Sequence, residues 1–272
     1  MKIFKKKTDL IKTISTHKSL SFVPTMGSFH KGHINLIKKA KLKKNKVIVS
    51  IFINPKQFNS KKDYLTYPKN FSYDLKILKK LNVQYVYMPS FKDVFDFKAK
   101  KTIYLDKFSK KLCGKFRKSH FKGVVNIVNR LVEIIEPKYI FLGKKDFQQL
   151  YLIKKHLEKN QIKTKIISCS TIREANGIAC SSRNKNLKYS EKSIASKVYN
   201  LINNTKKKIK NNKKLIFKKN NIKKKIMSFG VNKIDYIELL DLEKLKKPIS
   251  SKNNFNIFIA YYIGKTRLID NI

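Results

Sequence analysis

A chain of 272 residues, 42% of them hydrophobic, holds enough apolar material to bury a substantial core, as one large domain or two modest ones, which argues against disorder. Its longest apolar stretches, residues 47–53 and 256–264, fall well short of the roughly 18 residues of a membrane span, and residues 1–14 lack the apolar segment and cleavage site of a secretory signal, so a cytoplasmic protein is expected. A net charge of +47 would suit a nucleic-acid binder, but only five of the 64 basic residues are arginines; with the bidentate guanidinium fork so scarce and lysine scattered end to end, no specific nucleic acid and no membrane partner is expected.

In chain order, residues 20–24 form a short apolar run that stops at Thr25, Met26 and Gly27, and helical periodicity follows over 33–42. Residues 47–53 are β-branched and almost wholly apolar, as a strand buried on both faces would be, and Asn54-Pro55 ends them. After a polar stretch at 59–63, the pattern predicts a helix over 72–81 and a strand over 83–88 closed by Pro89. A long helical pattern over 121–136 stops at Pro137; then come a strand over 139–142, a helix over 147–158 and a strand over 164–169. Strands alternating with helices predict an α/β fold: a Rossmann-like, mostly parallel sheet with helices on both faces. From about Ala175 the texture changes to a lysine- and asparagine-rich helical region, 190–229, followed by apolar runs at 234–240 and 255–263. These predict domains of residues 1–174 and 175–272, the second a smaller C-terminal α+β domain.

Ligands of parallel sheets sit beyond the carboxyl ends of the strands, so chemistry is expected after Val23, Ile53, Leu142 and Cys169. The first of these segments, Pro24-Thr25-Met26-Gly27-Ser28-Phe29-His30-Lys31-Gly32-His33, puts two imidazoles and backbone N–H donors at a helix N-terminus, where a phosphate chain can approach over Gly32. A capped polar turn or a His-x-x-His metal pair are the alternatives, although no third ligand lies nearby. The second, with Asn54 and Gln57, and the third, Gly143-Lys144-Lys145-Asp146-Phe147-Gln148-Gln149, set amides beside apolar side chains, a mixture suited to a small polar molecule with an apolar body. Lys145 is a candidate point charge for phosphate, or one more surface lysine. The fourth, running from Arg173-Glu174-Ala175-Asn176-Gly177 to Cys180-Ser181-Ser182-Arg183-Asn184, offers hydroxyl and guanidinium donors that would stabilise leaving pyrophosphate; alone it also reads as a capped turn. Cys113, Cys169 and Cys180 form an odd set without CxxC spacing, so neither a disulfide framework nor a zinc site is expected.

Taken in order, the four segments resemble the pantothenate synthetase (pantoate-beta-alanine ligase) family. The resemblance extends through Leu112-Cys113-Gly114, Arg117, His120-Phe121 and Gly123-Val124 to Lys265-Thr266-Arg267-Leu268-Ile269-Asp270-Asn271. It implies an ATP-dependent ligase that joins pantoate to β-alanine through a pantoyl-adenylate, with Mg2+ accompanying ATP and a homodimeric assembly. By motif position it implies that Met26, Gly27, Ser28, Phe29, His30, Lys31, Gly32 and His33 form the ATP loop, His33 being the proton donor and His30 a phosphate partner. Gly143, Lys144, Lys145, Asp146, Cys180, Ser181, Ser182 and Arg183 would contact ATP, with Ile172 at the adenine through its backbone. Lys145 and Arg183 would neutralise phosphate charge. Gln57 and Gln149 would hydrogen-bond pantoate, Gln57 also lying close to the β-alanine subsite, and Met26 would receive the gem-dimethyl carbon. Three positions depart from the family pattern: Lys144 stands where Glu is usual, Cys180 where Met or Leu is usual, and Asn176 where Asp is common. The competing expectations are a nucleotidyltransferase of the same fold acting on a phosphate acceptor, and a nucleic-acid-binding protein that has kept the fold without catalysis.

Overall fold

A computed structural model describes residues 1–17, 19–58, 61–212 and 215–272; the polar stretch at 59–63 therefore lies partly outside the described residues. The chain divides into two compact units, Met1–Ile172 and Arg173–Ile272.

The first unit contains, in order, β1 (Lys2–Phe4), α1 (Lys7–Ile14), β2 (Leu20–Thr25), α2 (Lys31–Lys41), β3 (Lys46–Ile51), α3 (Lys61–Leu65), α4 (Phe71–Lys80), β4 (Tyr85–Tyr87), α5 (Phe91–Phe95), α6 (Cys113–Phe116), α7 (His120–Ile135), β5 (Tyr139–Gly143), α8 (Phe147–Lys159) and β6 (Lys165–Cys169). The six strands form one sheet in the order β1-β4-β3-β2-β5-β6, every pair parallel. Val23, Val47, Val49, Ile51, Val86 and Phe141 pack on one face against Ile37 and Ala40 of α2 and Leu78 of α4. α7 is buried at 11 of its positions, including Val124, Val128, Leu131 and Ile135; a helix apolar nearly all round is one enclosed by its neighbours, here α1, α5, α8 and the sheet. This is the expected doubly covered α/β sheet.

The chain moves outward from β2 through β3 to β4, then returns to lay β5 on the other side of β2. Strand order therefore reverses between β2 and β5, the position where such sheets open a crevice. The β2–β5 register covers only Ser21↔Tyr139 and Phe22↔Ile140, whereas β2 stays paired with β3 as far as Thr25↔Ile51. Thr25 gives its carbonyl to Phe52 N–H at 3.0 Å on the β3 side, so Pro24, one residue back, faces β5 where pairing has already ended. A proline is tolerated inside a strand only on such an unladdered side.

Several bounds differ from the sequence reading for local reasons. The strand expected over 47–53 stops at Ile51, Phe52 N–H on Thr25 O being the last bond to β2 before the turn at Pro55–Gln57. The strand expected over 83–88 contracts to Tyr85–Tyr87, since Val83 N–H closes the end of α4 on Leu78 O at 3.1 Å. α2 begins at Lys31, two residues early, because His30 caps it. β1 and α1 fall in the lysine-rich start, where no element was expected.

The second unit holds α9 (Tyr189–Asn211), α10 (Lys219–Met227) and an antiparallel sheet of β7 (Lys233–Asp241), β8 (Phe255–Ile263) and β9 (Thr266–Asn271) in that order. Ala195, Val198, Ile202 and Ile209 of α9 and Ile222 and Ile226 of α10 pack against Ile237, Leu239, Ile257 and Ile259. The region read as helical over 190–229 is thus two helices whose apolar residues recur at helical spacing within the Lys/Asn-rich texture. No helix among the described residues is long and apolar enough to cross a membrane.

Candidate active site

The loop after β2 is held from beneath. Thr25 Oγ1 donates to Ser50 O at 2.7 Å and accepts from Gly27 N–H at 3.2 Å. Gly27 and Ser28 are both left-handed, at φ 76° and 54°, which costs about 1–2 kcal/mol for a side-chain-bearing residue such as Ser28. The fully buried Asp74 carboxylate offsets this by accepting Ser28 N–H at 2.7 Å and Phe29 N–H at 2.8 Å. It lies so close that a Cβ on Gly27 would stand 2.8 Å from Asp74 Oδ2. Phe29 anchors the loop in the core, 3% exposed.

His30 then caps α2, its Nδ1 accepting Gly32 N–H at 3.1 Å, so a neutral His30 carries its proton on Nε2. The His30 and His33 ring centroids lie 4.0 Å apart, and Phe29 stands 5.4 Å from His33 on centroids. Two imidazoles and the first amides of an eleven-residue helix thus share one edge of the crevice, the arrangement that favours an anion.

After β3, Pro55–Gln57 makes a single 3-10 turn. Asn54, 1% exposed, accepts Lys56 N–H at 3.1 Å and donates from Nδ2 to Gly123 O at 3.1 Å. α7 approaches this turn so closely that a Cβ on Gly123 would meet Lys56 O at 2.3 Å and Gln57 N at 3.1 Å. The Gln57 carbonyl accepts from Arg117 Nη2 at 3.1 Å and from His120 Nδ1 at 2.6 Å, while Arg117 Nη1 reaches His120 Nε2 at 3.0 Å. With its backbone pinned, Gln57 is 9% exposed and directs Nε2 to the Met26 sulfur. The structure thus brings together Met26, of the first segment, and Gln57, of the second.

After β5, Lys144–Asp146 forms a 3-10 turn leading into α8. Space in front of Gly143 is open: a Cβ there would meet nothing within 4 Å. Lys145 Nζ is 3.3 Å from Asp146 Oδ1, and its side chain is only 18% exposed, unlike an ordinary surface lysine. Gln148 is buried and structural, accepting Cys113 N–H at 3.1 Å and donating to Phe108 O and Lys111 O at 2.7 Å. Gln149, the next residue on α8, is half-buried, as is Ile172 beyond β6. Because β3, β2 and β5 are neighbours in the sheet, their three loops are adjacent.

The fourth segment belongs to the second unit. Its turn is closed by an Arg173↔Ala179 bridge and by Glu174 N–H on Ile178 O at 2.8 Å. Asn184 Nδ2 donates to Glu174 Oε1 at 2.7 Å and to Ala179 O at 3.0 Å. Ser181 Oγ accepts Arg183 N–H at 3.3 Å, while Cys180 and Ser182 are buried. Arg173 clamps Asp270 with bonds of 2.7 and 3.1 Å and lies over the Tyr199 ring at 4.4 Å. Burial works against its charge, but the Asp270 carboxylate outweighs this and raises the Arg173 pKa above its ordinary value. Arg173, one of the two arginines noted in this segment, is thus a structural strut. The same holds for Arg117, for Arg130 on Phe97 O at 2.7 Å, and for Arg267 on Asp235 at 2.9 Å.

The model of the family described as pantoate-beta-alanine ligase matches residues 2–272. The chain belongs to that family. Among its relatives, the pantothenate synthetase of Francisella tularensis subsp. novicida is 41% identical over 255 residues, covering 93% of this chain and 89% of the relative. That of Clostridium botulinum is 39% identical over 254 residues, covering 93% and 90%. The solved pantoate-beta-alanine ligase of Francisella tularensis, described as complexed with beta-gamma ATP and beta-alanine, superposes with a TM-score of 0.84 at 38% identity, covering 100% of this chain and 97% of that one. The pantothenate synthetase of Thermus thermophilus shares the fold, with a TM-score of 0.89 at 24% identity and coverage of 100% and 99%.

Around this candidate site, sequence reasoning overlooked Asp74, and named Asn54, Arg117, His120 and Gly123 without giving them roles. Asp74 reads as an ordinary acidic residue in the first turn of a helix. The scarcity of arginine was the available signal for Arg117.

Proposed function

We propose that this chain condenses (R)-pantoate with β-alanine at the expense of ATP, in two steps at one site. In the first, a pantoate carboxylate oxygen attacks the α-phosphorus of ATP, the bond to pyrophosphate breaks, and pantoyl-adenylate forms. In the second, the amine nitrogen of β-alanine attacks the pantoyl carbonyl carbon. The carbon–oxygen bond to AMP breaks, the amine loses its proton, and pantothenate and AMP leave. Neither step needs a covalent enzyme intermediate, so the protein acts by holding reactants in line and stabilising charge.

The observation that carries the reading is the adjacency, at the strand reversal, of the His30–His33 pair, the Gln57–Met26 contact and the half-buried Lys145. In the proposal, the loop Met26, Gly27, Ser28, Phe29, His30, Lys31, Gly32, His33 receives the triphosphate at the start of α2, with His33 Nε2 donating a proton or hydrogen bond to the oxygens that gain charge. Lys145 supplies an ammonium to the departing pyrophosphate, and Gly143, Lys144 and Asp146 line the nucleotide from the β5 side. Gln57 and Gln149 hydrogen-bond pantoate and Met26 covers its gem-dimethyl carbon. Ser181, Ser182 and Arg183, with Cys180 and the backbone of Ile172, complete the nucleotide contacts. Residues 1–174 are the ATP- and pantoate-binding domain in this reading, and 175–272 the domain that closes over ATP.

Among the described residues no group of three His, Cys, Asp or Glu side chains forms a metal cage. The reading includes a Mg2+ held chiefly by triphosphate oxygens and water, its usual mode in such sites, with Asp146, in the turn after β5, the carboxylate on the side where the phosphates are proposed. Bound there, the ion would neutralise phosphate charge. The reading also includes a homodimer, which sedimentation would check, and a cytoplasmic location.

The test is AMP release with pantoate and β-alanine omitted in turn. Pyrophosphate exchange into ATP must require pantoate alone; exchange supported instead by a phosphomonoester would overturn the ligase reading.

A further inference from the structure

Among the described residues, Asp74 is the one fully buried carboxylate of the first unit that directly holds the loop bearing His30 and His33. It lies near the start of α4, where Asn70 caps the helix by accepting Tyr73 N–H at 3.0 Å and Asp74 N–H bonds Asn70 O at 3.0 Å. The helix end therefore favours a negative charge at this place. Both carboxylate oxygens face away from their own helix and are used separately, Oδ2 on Ser28 N–H and Oδ1 on Phe29 N–H. No neutral side chain of this size offers two acceptors: Asn would turn an NH2 toward one of two N–H groups.

What the carboxylate holds is an unfavourable backbone. Two successive left-handed residues, of which Ser28 carries a side chain, turn the chain from the end of β2 into the cap of α2. Phe29, the second residue bonded, is followed directly by His30, and His33 sits one helical turn on, with its ring against Phe29. The imidazole positions are thus inherited from backbone that Asp74 fixes.

We propose that Asp74 is a positioning residue for the adenylate-forming half of the reaction, acting through the Gly27-Ser28-Phe29 turn on His30 and His33. This rests on the functional reading above. Asp74 does not touch substrate; it sets where the imidazoles and the first amides of α2 meet the triphosphate. A displacement near 1 Å at such a site costs about a hundredfold in rate.

The experiment compares the two half-reactions. Asp74→Asn is expected to lower kcat for pantoate-dependent pyrophosphate exchange about 10- to 100-fold. Aminolysis of supplied pantoyl-adenylate by β-alanine, which needs no triphosphate, should stay within about threefold of the unsubstituted enzyme. Adding Ser28→Gly, which removes the cost of the left-handed turn, is expected to restore part of the exchange rate to Asp74→Asn. A merely structural aspartate would lower both half-reactions together, in step with a lost folded fraction, and would gain no exchange rate from Ser28→Gly; that pattern overturns the proposal. So does exchange at the unsubstituted rate in Asp74→Asn. If Asp74→Asn does not fold, Gly27→Ala carries the test, because its methyl would press on Oδ2 while leaving the acceptor intact, and the same split between half-reactions is expected. Absence of pantoate-dependent exchange in the unsubstituted enzyme would instead strike the functional reading itself.

Discussion

Gly123→Ala separates stability from function at one atom. The added methyl would lie 2.3 Å from Lys56 O and 2.7 Å from Lys56 C, both backbone atoms, where ordinary contact begins at 3.4 Å. α7 and the turn bearing Gln57 must therefore part by about 1 Å, since neither partner is a side chain that can swing away. Overpacking of this kind costs about 1–3 kcal/mol, while replacing Gly by Ala inside a helix returns about 1 kcal/mol, so net destabilisation should be no more than about 2 kcal/mol. The displaced turn, however, carries Gln57, and the shift stretches the Asn54 bond to Gly123 O and the Arg117 and His120 bonds to Gln57 O. In the proposed site that costs roughly a hundredfold in kcat/KM for pantoate, with the KM for ATP changed less because the turn reaches the α2 loop through the Met26 side chain and not through its backbone. Pyrophosphate exchange titrated with each substrate, beside a urea unfolding curve, measures both quantities. A variant as stable as the unsubstituted protein with an unaltered pantoate dependence would refute the reasoning.

His33→Ala should leave the urea midpoint nearly unchanged and reduce adenylate formation by about 10²–10⁴-fold; near-normal exchange would remove His33 from its role. Asp270→Asn leaves the Arg173 guanidinium without its charged partner and should cost about 2 kcal/mol or more, seen as a lowered unfolding midpoint. His156 is buried, accepting Tyr104 N–H on Nδ1 at 3.2 Å and reaching Asn129 Oδ1 from Nε2 at 2.9 Å. Burial lowers its pKa, with Glu133 opposing. The unfolded chain then takes up a proton at a higher pH than the folded one. Stability from this group is full above the ordinary histidine range near 6.5 and declines as pH falls toward the depressed folded value. Urea midpoints between pH 7.5 and 5 should drop, and drop less in His156→Leu, after allowing for its altered baseline stability.

How much was legible follows from how each signal is encoded. A parallel strand buried on both faces is a continuous apolar run, so β2, β3 and β5 were visible from composition alone. β8, across residues Phe255–Ile263, is antiparallel but was visible as an apolar run too, being buried at most of its positions. β1 has three residues with one buried side chain, too short for any pattern to register, and it exists because β4 offers it an edge. The break between α9 and α10 escaped notice because Lys and Asn are common on both sides of it.

The candidate site divides likewise. The sequence by itself determined the fold class and the placement of the candidate residues after strand ends, because buried strands, a histidine pair at a helix start and a serine–arginine turn are local patterns. Tertiary structure alone decided which oxygens receive the arginines, that Gln148 ties down the Cys113 turn while Gln149 does not share its bonds, and that Asp74 clasps a loop 45 residues away in sequence. Those facts depend on which distant backbone groups become neighbours when the sheet forms. A carboxylate facing water and one turned inward onto two amides are the same letter in the chain.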